Sequence, residues 1–225
     1  MTEEFVLLEH ASTAPSVRRR LCSCALAAVA LGSFGMPVHA GGGPLGIDHR
    51  LPYDDHGIWS RPTQELVLDA LIAGEIGGAL WEGGESRLGR TLWQSIDASG
   101  AGELSSELLK RVFSRVRPID ANDPDLWFQG SPNESFPSGE VTAVTSIITP
   151  FVLEYRRDHP AVYALEVLPV YDAVARMKVQ AHWQTDVIAG FALGTTWGYL
   201  AHRRDTPFVL EVLPQGFMLG VNKRF

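Results

Sequence analysis

Apolar residues recur along this chain at the three-and-four spacing of helices. Leu66, Leu68, Ala70, Leu71, Ile72, Ile76, Ala79 and Leu80 predict a buried helix, with Pro62 in its first turn and Glu82-Gly83-Gly84 ending it. Leu88, Leu92 and Ile96 predict a short second helix that breaks at Gly100-Ala101-Gly102. A third then runs from about Glu103 to Arg115 with Leu104, Leu108, Leu109, Val112 and Phe113 inward. Pro137-Ser138-Gly139 opens a helix carrying Val141, Val144, Ile147, Ile148, Phe151 and Val152, with a late kink at Pro150. Asp158-His159-Pro160 starts the next, bent at Pro169 and ending near Arg176. The last helix spans about Gln184 to His202, and Gly190, Gly194 and Gly198 share one i+4 row, a stripe that lets another helix approach closely. Beyond Thr206-Pro207, Phe208 to Leu213 and Phe217 to Phe225 flank Pro214-Gln215-Gly216 as a β-hairpin. The expected fold is all-α: a compact helical bundle over 61–205 with a C-terminal hairpin appendage over 206–225.

Composition alters the picture at the ends. Arg18-Arg19-Arg20, an apolar run from Leu21 to Met36 and then Val38-His39-Ala40 read as a secretory signal over 1–40. Cys22 and Cys24 both fall inside it, so the mature chain offers no thiol chemistry and no disulfide. The net charge of −7 argues against a nucleic-acid partner. Residues 41–60 read as an extended, solvated arm, and Asp48, His49, Asp54, Asp55 and His56 there match no metal-ligand spacing. The longest clean apolar run, Val187 to Ala201, is 15 residues, short of the roughly 18–20 that span a bilayer. A soluble domain is expected.

Three clusters carry candidate chemistry. His182 and Asp186 lie four apart, on one face if both are helical, so the carboxylate can orient the imidazole; a structural ion pair is the plainer reading of that pair alone. Arg176 adds a planar cation suited to phosphate. Lys110 and Arg117 lie seven apart, and Pro118 ends their helix; with Arg111 and Arg115 nearby, a solvated basic face is the plain alternative. Ser135-Phe136-Pro137-Ser138-Gly139 forms a tight turn into a helix. Ser138-Gly139 at that helix start suits an anion, with Ser138 as N-cap, as backbone donor to the ligand, or as both. The loop over 119–136 carries Trp127 and Phe128 and reads as a wall or lid over the site.

Taken together, Lys110-x6-Arg117-Pro118, Pro137-Ser138-Gly139 and Arg176-x5-His182-x3-Asp186 resemble the signature of the type 2 phosphatidic acid phosphatase superfamily, which includes class A bacterial acid phosphatases, lipid phosphatases and vanadium haloperoxidases. The separating gaps of 18 residues (119–136) and 35 residues (140–174) suit that family. Ala175 stands where the family usually has serine, and Glu140 where it has the second histidine. The resemblance implies a metal-independent phosphatase that needs no cofactor. His182 would form a phosphohistidine, oriented by Asp186. Lys110, Arg117, Arg176 and the Ser138 and Gly139 amides would hold the phosphate oxygens. The role of general acid would pass to Glu140. The substrate would be a phosphorylated small molecule or a lipid or prenyl headgroup, with contact at a membrane surface as a further expectation and the periplasm as the compartment. Two alternatives stay open: a non-catalytic phosphate- or headgroup-binding relative, and a haloperoxidase holding vanadate in the same pocket.

Overall fold

The computed structural model describes residues 41–204 and Pro207, and within them the fold is all-α. Five helices follow in order: α1 (Arg61–Glu82), α2 (Arg87–Phe113), α3 (Gly139–Tyr155), α4 (Val167–Lys178) and α5 (Gln184–His202), with 3-10 turns at Gly57–Trp59 and Pro160–Glu166. The expected signal segment and, apart from Pro207, the expected hairpin lie outside the described residues. No helix among the described residues is long and apolar enough to cross a membrane.

The ends of the helices follow local chemistry. Pro62 occupies the first turn of α1, and Gly83 closes it at a φ of 68°, a left-handed setting that glycine adopts without steric cost. Ser86 caps α2 by accepting from the Gly89 amide. The predicted break at Gly100–Gly102 does not occur, and α2 runs unbroken for 27 residues. Gly102 serves packing instead: a Cβ there would lie 2.7 Å from Ser146 Oγ of α3. A helical glycine costs only about 1 kcal/mol, which the close helix–helix contact offsets. Leu104, Leu108 and Val112 of α2, expected inward, are exposed. The helix predicted from Pro160 also differs. Its first seven residues form a 3-10 turn, and α4 begins at Val167. Pro169 therefore sits in the first turn of α4, where its missing N–H was never needed, and does not bend the helix.

α3 is the central helix. Val144, Ile147, Ile148 and Val152 form the main core, covered by Leu68, Leu71 and Ile72 of α1 and by Val162, Leu165 and Leu168. Nearer its N-terminus, Val141 packs with Ala173 of α4 and Val187 of α5. The glycine stripe of α5 meets α3 as the spacing requires. A Cβ at Gly190 would lie 2.8 Å from the Ser138 carbonyl oxygen, and one at Gly194 2.6 Å from that of Thr142. Close approach along this seam draws the N-termini of α3 and α5 together. Gly194→Val would press its side chain against backbone, so it is expected to cost about 1–3 kcal/mol, read as a lower urea midpoint.

Residues 41–60 differ from the solvated arm expected of them. The segment closes on itself between Gly42 and Asp48, and then passes the end of α4. The Asp54 amide donates to the Lys178 carbonyl at 3.0 Å. Gln180 donates to the Leu51 carbonyl at 2.7 Å and accepts from Arg50 at 2.5 Å. Asp48 is buried rather than solvated.

Candidate active site

His182 does not share a helix with Asp186. It lies in the bend before α5, whose N-cap is Trp183 and whose third residue is Asp186. The expectation that the carboxylate orients the ring directly is modified accordingly. His182 Nδ1 is 2.6 Å from the Ser135 carbonyl oxygen and 3.9 Å from Asp186 Oδ2. A carbonyl can only accept, so Nδ1 carries the proton and Nε2 keeps the lone pair. Asp186 acts one step removed. Its Oδ2 accepts from Ser135 Oγ at 2.6 Å and from the Trp183 amide at 2.9 Å. It thus pins the two segments between which the imidazole is held, and the Ser138 amide donates to its carbonyl at 3.0 Å.

Behind this pair is a buried charge network with no counterpart in the sequence pattern. Arg115, read from the sequence as part of a solvated basic face, is fully buried. Its guanidinium bridges Asp186 and Asp48, each at 2.6 Å. It also donates to Thr185 Oγ1 and to the Pro124 carbonyl, and it lies 4.2 Å over the Trp127 ring. Asp48 accepts from both the amide and the hydroxyl of Thr185, which fixes the first turn of α5. Burial pushes the Asp186 carboxyl up to about 6, while Arg115, Ser135 and Trp183 donate to it and keep it ionised at neutral pH.

Three cations bear on His182. Burial pushes its proton affinity well below that of ordinary histidine, and Arg176, Arg117 and Lys110 add to the effect. The ring is therefore neutral at neutral pH, with a free Nε2. Lys110 lies against the start of α3: a Cβ on Gly139 would be 2.9 Å from its Nζ. Arg117 lines the cleft, and its side chain makes no hydrogen bond or ion pair among the described residues. Arg176 is buried. Its Nη1 donates to Gln64 at 3.1 Å, and its Nε has no partner among the described residues. Ser138 does not cap α3 with its side chain. Its amide is occupied by Asp186, contrary to the expected role as phosphate donor, while its buried hydroxyl has no partner among the described residues. The first-turn amides of α3 from Gly139 onward are those left for an anion.

Arg117 and Arg176, with Arg61, Glu140 and Ala181 next to His182, line a cleft of about 390 Å³. Glu140 is held between two guanidiniums, Arg61 at 2.7 Å and Arg176 at 3.4 Å. Nothing in the sequence pattern singles out Arg61 except its place beside Pro62, at a helix start that faces the site. Trp127 and Phe128 do not roof this cleft. With Phe113 and Phe136 they line a second, apolar recess of about 450 Å³, closed by Leu45, Ile188 and Ala192.

A neutral imidazole with one free nitrogen, ringed by cations where two helix N-termini converge, is a site of the oxyanion-handling class. The family model of the PAP2 superfamily matches residues 92–207, and the chain belongs to that superfamily. A lipid A 1-phosphatase of Rhizobium johnstonii is 35% identical over 120 residues, 51% of this chain and 47% of that protein. One of Rhizobium etli is 35% identical over 114 residues, 48% of this chain and 47% of the relative. The chain thus spans about half the length of the curated relatives it matches. A transmembrane PAP2-type phosphatidylglycerolphosphate phosphatase of Bacillus subtilis aligns at a TM-score of 0.40 and 20% identity, over 72% of this chain and 91% of the other.

Proposed function

We propose that this protein is a metal-independent phosphatase of lipid phosphates, acting through a phosphohistidine on His182. The observation that carries the reading is the 2.6 Å contact from His182 Nδ1 to the Ser135 carbonyl, which leaves Nε2 as the nucleophile. In the first step Nε2 attacks phosphorus and the ester P–O bond breaks. The Ser135 carbonyl and, through Ser135, Asp186 stabilise the imidazolium that forms. Arg176, Arg117, Lys110, the Ser138 hydroxyl and the amides from Gly139 onward meet the phosphate oxygens, which is electrostatic stabilisation in a prearranged site. In the second step water cleaves the P–N bond, releasing phosphate and restoring the neutral ring. Glu140, at the cleft wall, delivers the proton to the leaving oxygen.

A lipid substrate is favoured by the two relatives, both lipid A 1-phosphatases. The apolar recess, formed in part by Phe136 next to Ser135, and the exposed row of Leu104, Leu108 and Val112 along α2 support contact with a lipid surface. Export by way of residues 1–40 would place the enzyme in the periplasm.

The test is phosphate release in the presence of chelator, comparing lipid monophosphates in mixed micelles with nucleotide and aryl phosphates. The expected result is undiminished turnover in chelator, with lipid phosphates ahead of nucleotides. Vanadate or phosphate binding without turnover of any substrate would favour the haloperoxidase or binding readings instead. The pH profile follows from the depressed basicity of His182. The ring stays unprotonated as pH falls through the ordinary histidine range. The acidic limb of kcat/KM is therefore expected well below pH 6.5, and a limb at or above that value would contradict the assignment.

A further inference from the structure

We propose that Ser106 is a further phosphate-binding residue of this site: its hydroxyl donates to a phosphoryl oxygen at the start of α3, beside Lys110. The inference deepens the phosphatase reading and rests on it for the nature of the ligand, a tetrahedral oxyanion. Ser106 belongs to none of the sequence blocks; it stands on α2, one helical turn before Lys110.

Ser106 is fully buried, and its Oγ has no hydrogen-bond partner among the described residues. A helical serine has an ordinary outlet in the carbonyl one turn back. The adjacent Ser105 takes it, donating to the Ala101 carbonyl at 2.7 Å, and accepts from the Trp197 indole at 3.0 Å. Thr142 and Thr149 of α3 likewise donate to carbonyls one turn back, each at 2.8 Å. Ser106 does not. Its hydroxyl lies instead against the first residue of α3: a Cβ added to Gly139 would be 3.2 Å from Ser106 Oγ and 2.9 Å from Lys110 Nζ.

Gly139 is thus the meeting point of two polar groups of α2. Its missing side chain keeps open the space between them and the amides that begin α3. The hydroxyl of Ser138, the residue before it, is also buried and without a partner among the described residues. Each of these hydroxyls has one proton to give, and Lys110, which spends one N–H on Glu107 at 2.6 Å, has others left. Two hydroxyls, an ammonium and the first-turn amides are donors gathered at one point, and a buried donor left unmatched costs free energy. A phosphoryl oxygen supplies the acceptor, and its charge makes each bond stronger than one to a neutral group.

The experiment sets Ser106→Ala against Ser105→Ala in the full chain, with inorganic phosphate as the probe. Affinity is read by calorimetric titration and stability by thermal melts without phosphate. A hydroxyl that bonds nothing contributes nothing to the free fold. Ser106→Ala is therefore expected to melt at or above the wild-type temperature and to bind phosphate about tenfold more weakly, with a similar fall in kcat/KM on p-nitrophenyl phosphate. Ser105→Ala is expected to do the reverse: it melts lower, because the Trp197 indole loses its acceptor, and binds phosphate within about twofold of wild type. Wild-type phosphate affinity in Ser106→Ala would overturn the proposal. A clear drop in the melting temperature of that variant would also overturn it, by making the hydroxyl a structural partner. Ser106→Cys keeps the shape of the side chain with a much weaker donor; it is expected to match Ser106→Ala in phosphate affinity, and wild-type affinity there would contradict the role of the hydroxyl. The two readings fail separately. A wild type that binds phosphate through Ser106 but turns over no ester would sink the phosphatase reading and leave Ser106 in place. An active wild type whose Ser106→Ala variant binds and turns over equally well would do the opposite.

Discussion

His182→Ala is expected to lower phosphate release by about 10³-fold or more on every substrate, aryl esters included. The reason is specific to the nucleophile. An aryl leaving group dispenses with the general acid, but nothing dispenses with the atom that bonds to phosphorus. The cations, the Ser138 hydroxyl and the helix-start amides all remain in the variant, so binding of inorganic phosphate should persist. The expected signature is therefore a collapse in kcat with phosphate affinity retained, measured by steady-state kinetics beside a phosphate titration. The ring is buried, and its removal leaves a cavity, so a thermal melt must accompany the kinetics. A variant that melts near the wild-type temperature yet keeps most of its activity would exclude His182 as the nucleophile.

The second large effect is on stability. Arg115→Met is expected to cost about 3–5 kcal/mol, because it leaves Asp48 and Asp186 buried without their shared cation. It also removes the donors to Thr185 and the Pro124 carbonyl and the contact with Trp127, loosening the 41–60 segment and the start of α5 together. In the variant the stranded Asp186 carboxyl can take up a proton as pH falls, and burial already pushes it up to about 6 with Arg115 present. The destabilisation should therefore be largest at neutral to alkaline pH and shrink as the solution is acidified. Adding Asp48→Asn and Asp186→Asn should recover part of the loss at neutral pH. Urea midpoints at neutral and acidic pH measure both effects. A single variant as stable as wild type would show that the network contributes nothing to the fold.

Helices are legible in this sequence where one face repeats. α1, α3 and α5 follow from apolar spacing, and the seam between α3 and α5 follows from Gly190, Gly194 and Gly198. The break expected in α2 does not occur because a glycine in a helix has two readings. One is a stop; the other is a neighbour that needs the space, and that neighbour, Ser146 of α3, is invisible to any local window around Gly102. The candidate site residues are legible for a different reason. Lys110, Arg117, Ser138, Gly139, Arg176, His182 and Asp186 fall in ordered blocks whose spacing carries the resemblance. The residues that hold them are not legible. Arg115 and Asp48 look like surface charges in a string of letters, and only the tertiary fold brings them to Asp186. Ser135 stands two residues before the second block, yet its contact with the ring is through a backbone carbonyl, an atom every residue has. Arg61 reaches Glu140 from another helix, with no spacing to announce it.

A covalent bond between phosphorus and His182 is the step on which the proposed mechanism turns. The most direct measurement is a rapid base quench of the enzyme turning over 32P-labelled lipid phosphate in chelator, followed by peptide mapping. Label is expected on the peptide carrying His182, stable to base and labile to acid as a phosphoramidate is, and absent from His182→Ala. Sustained turnover with no label on that peptide, or label on another residue, would contradict the mechanism.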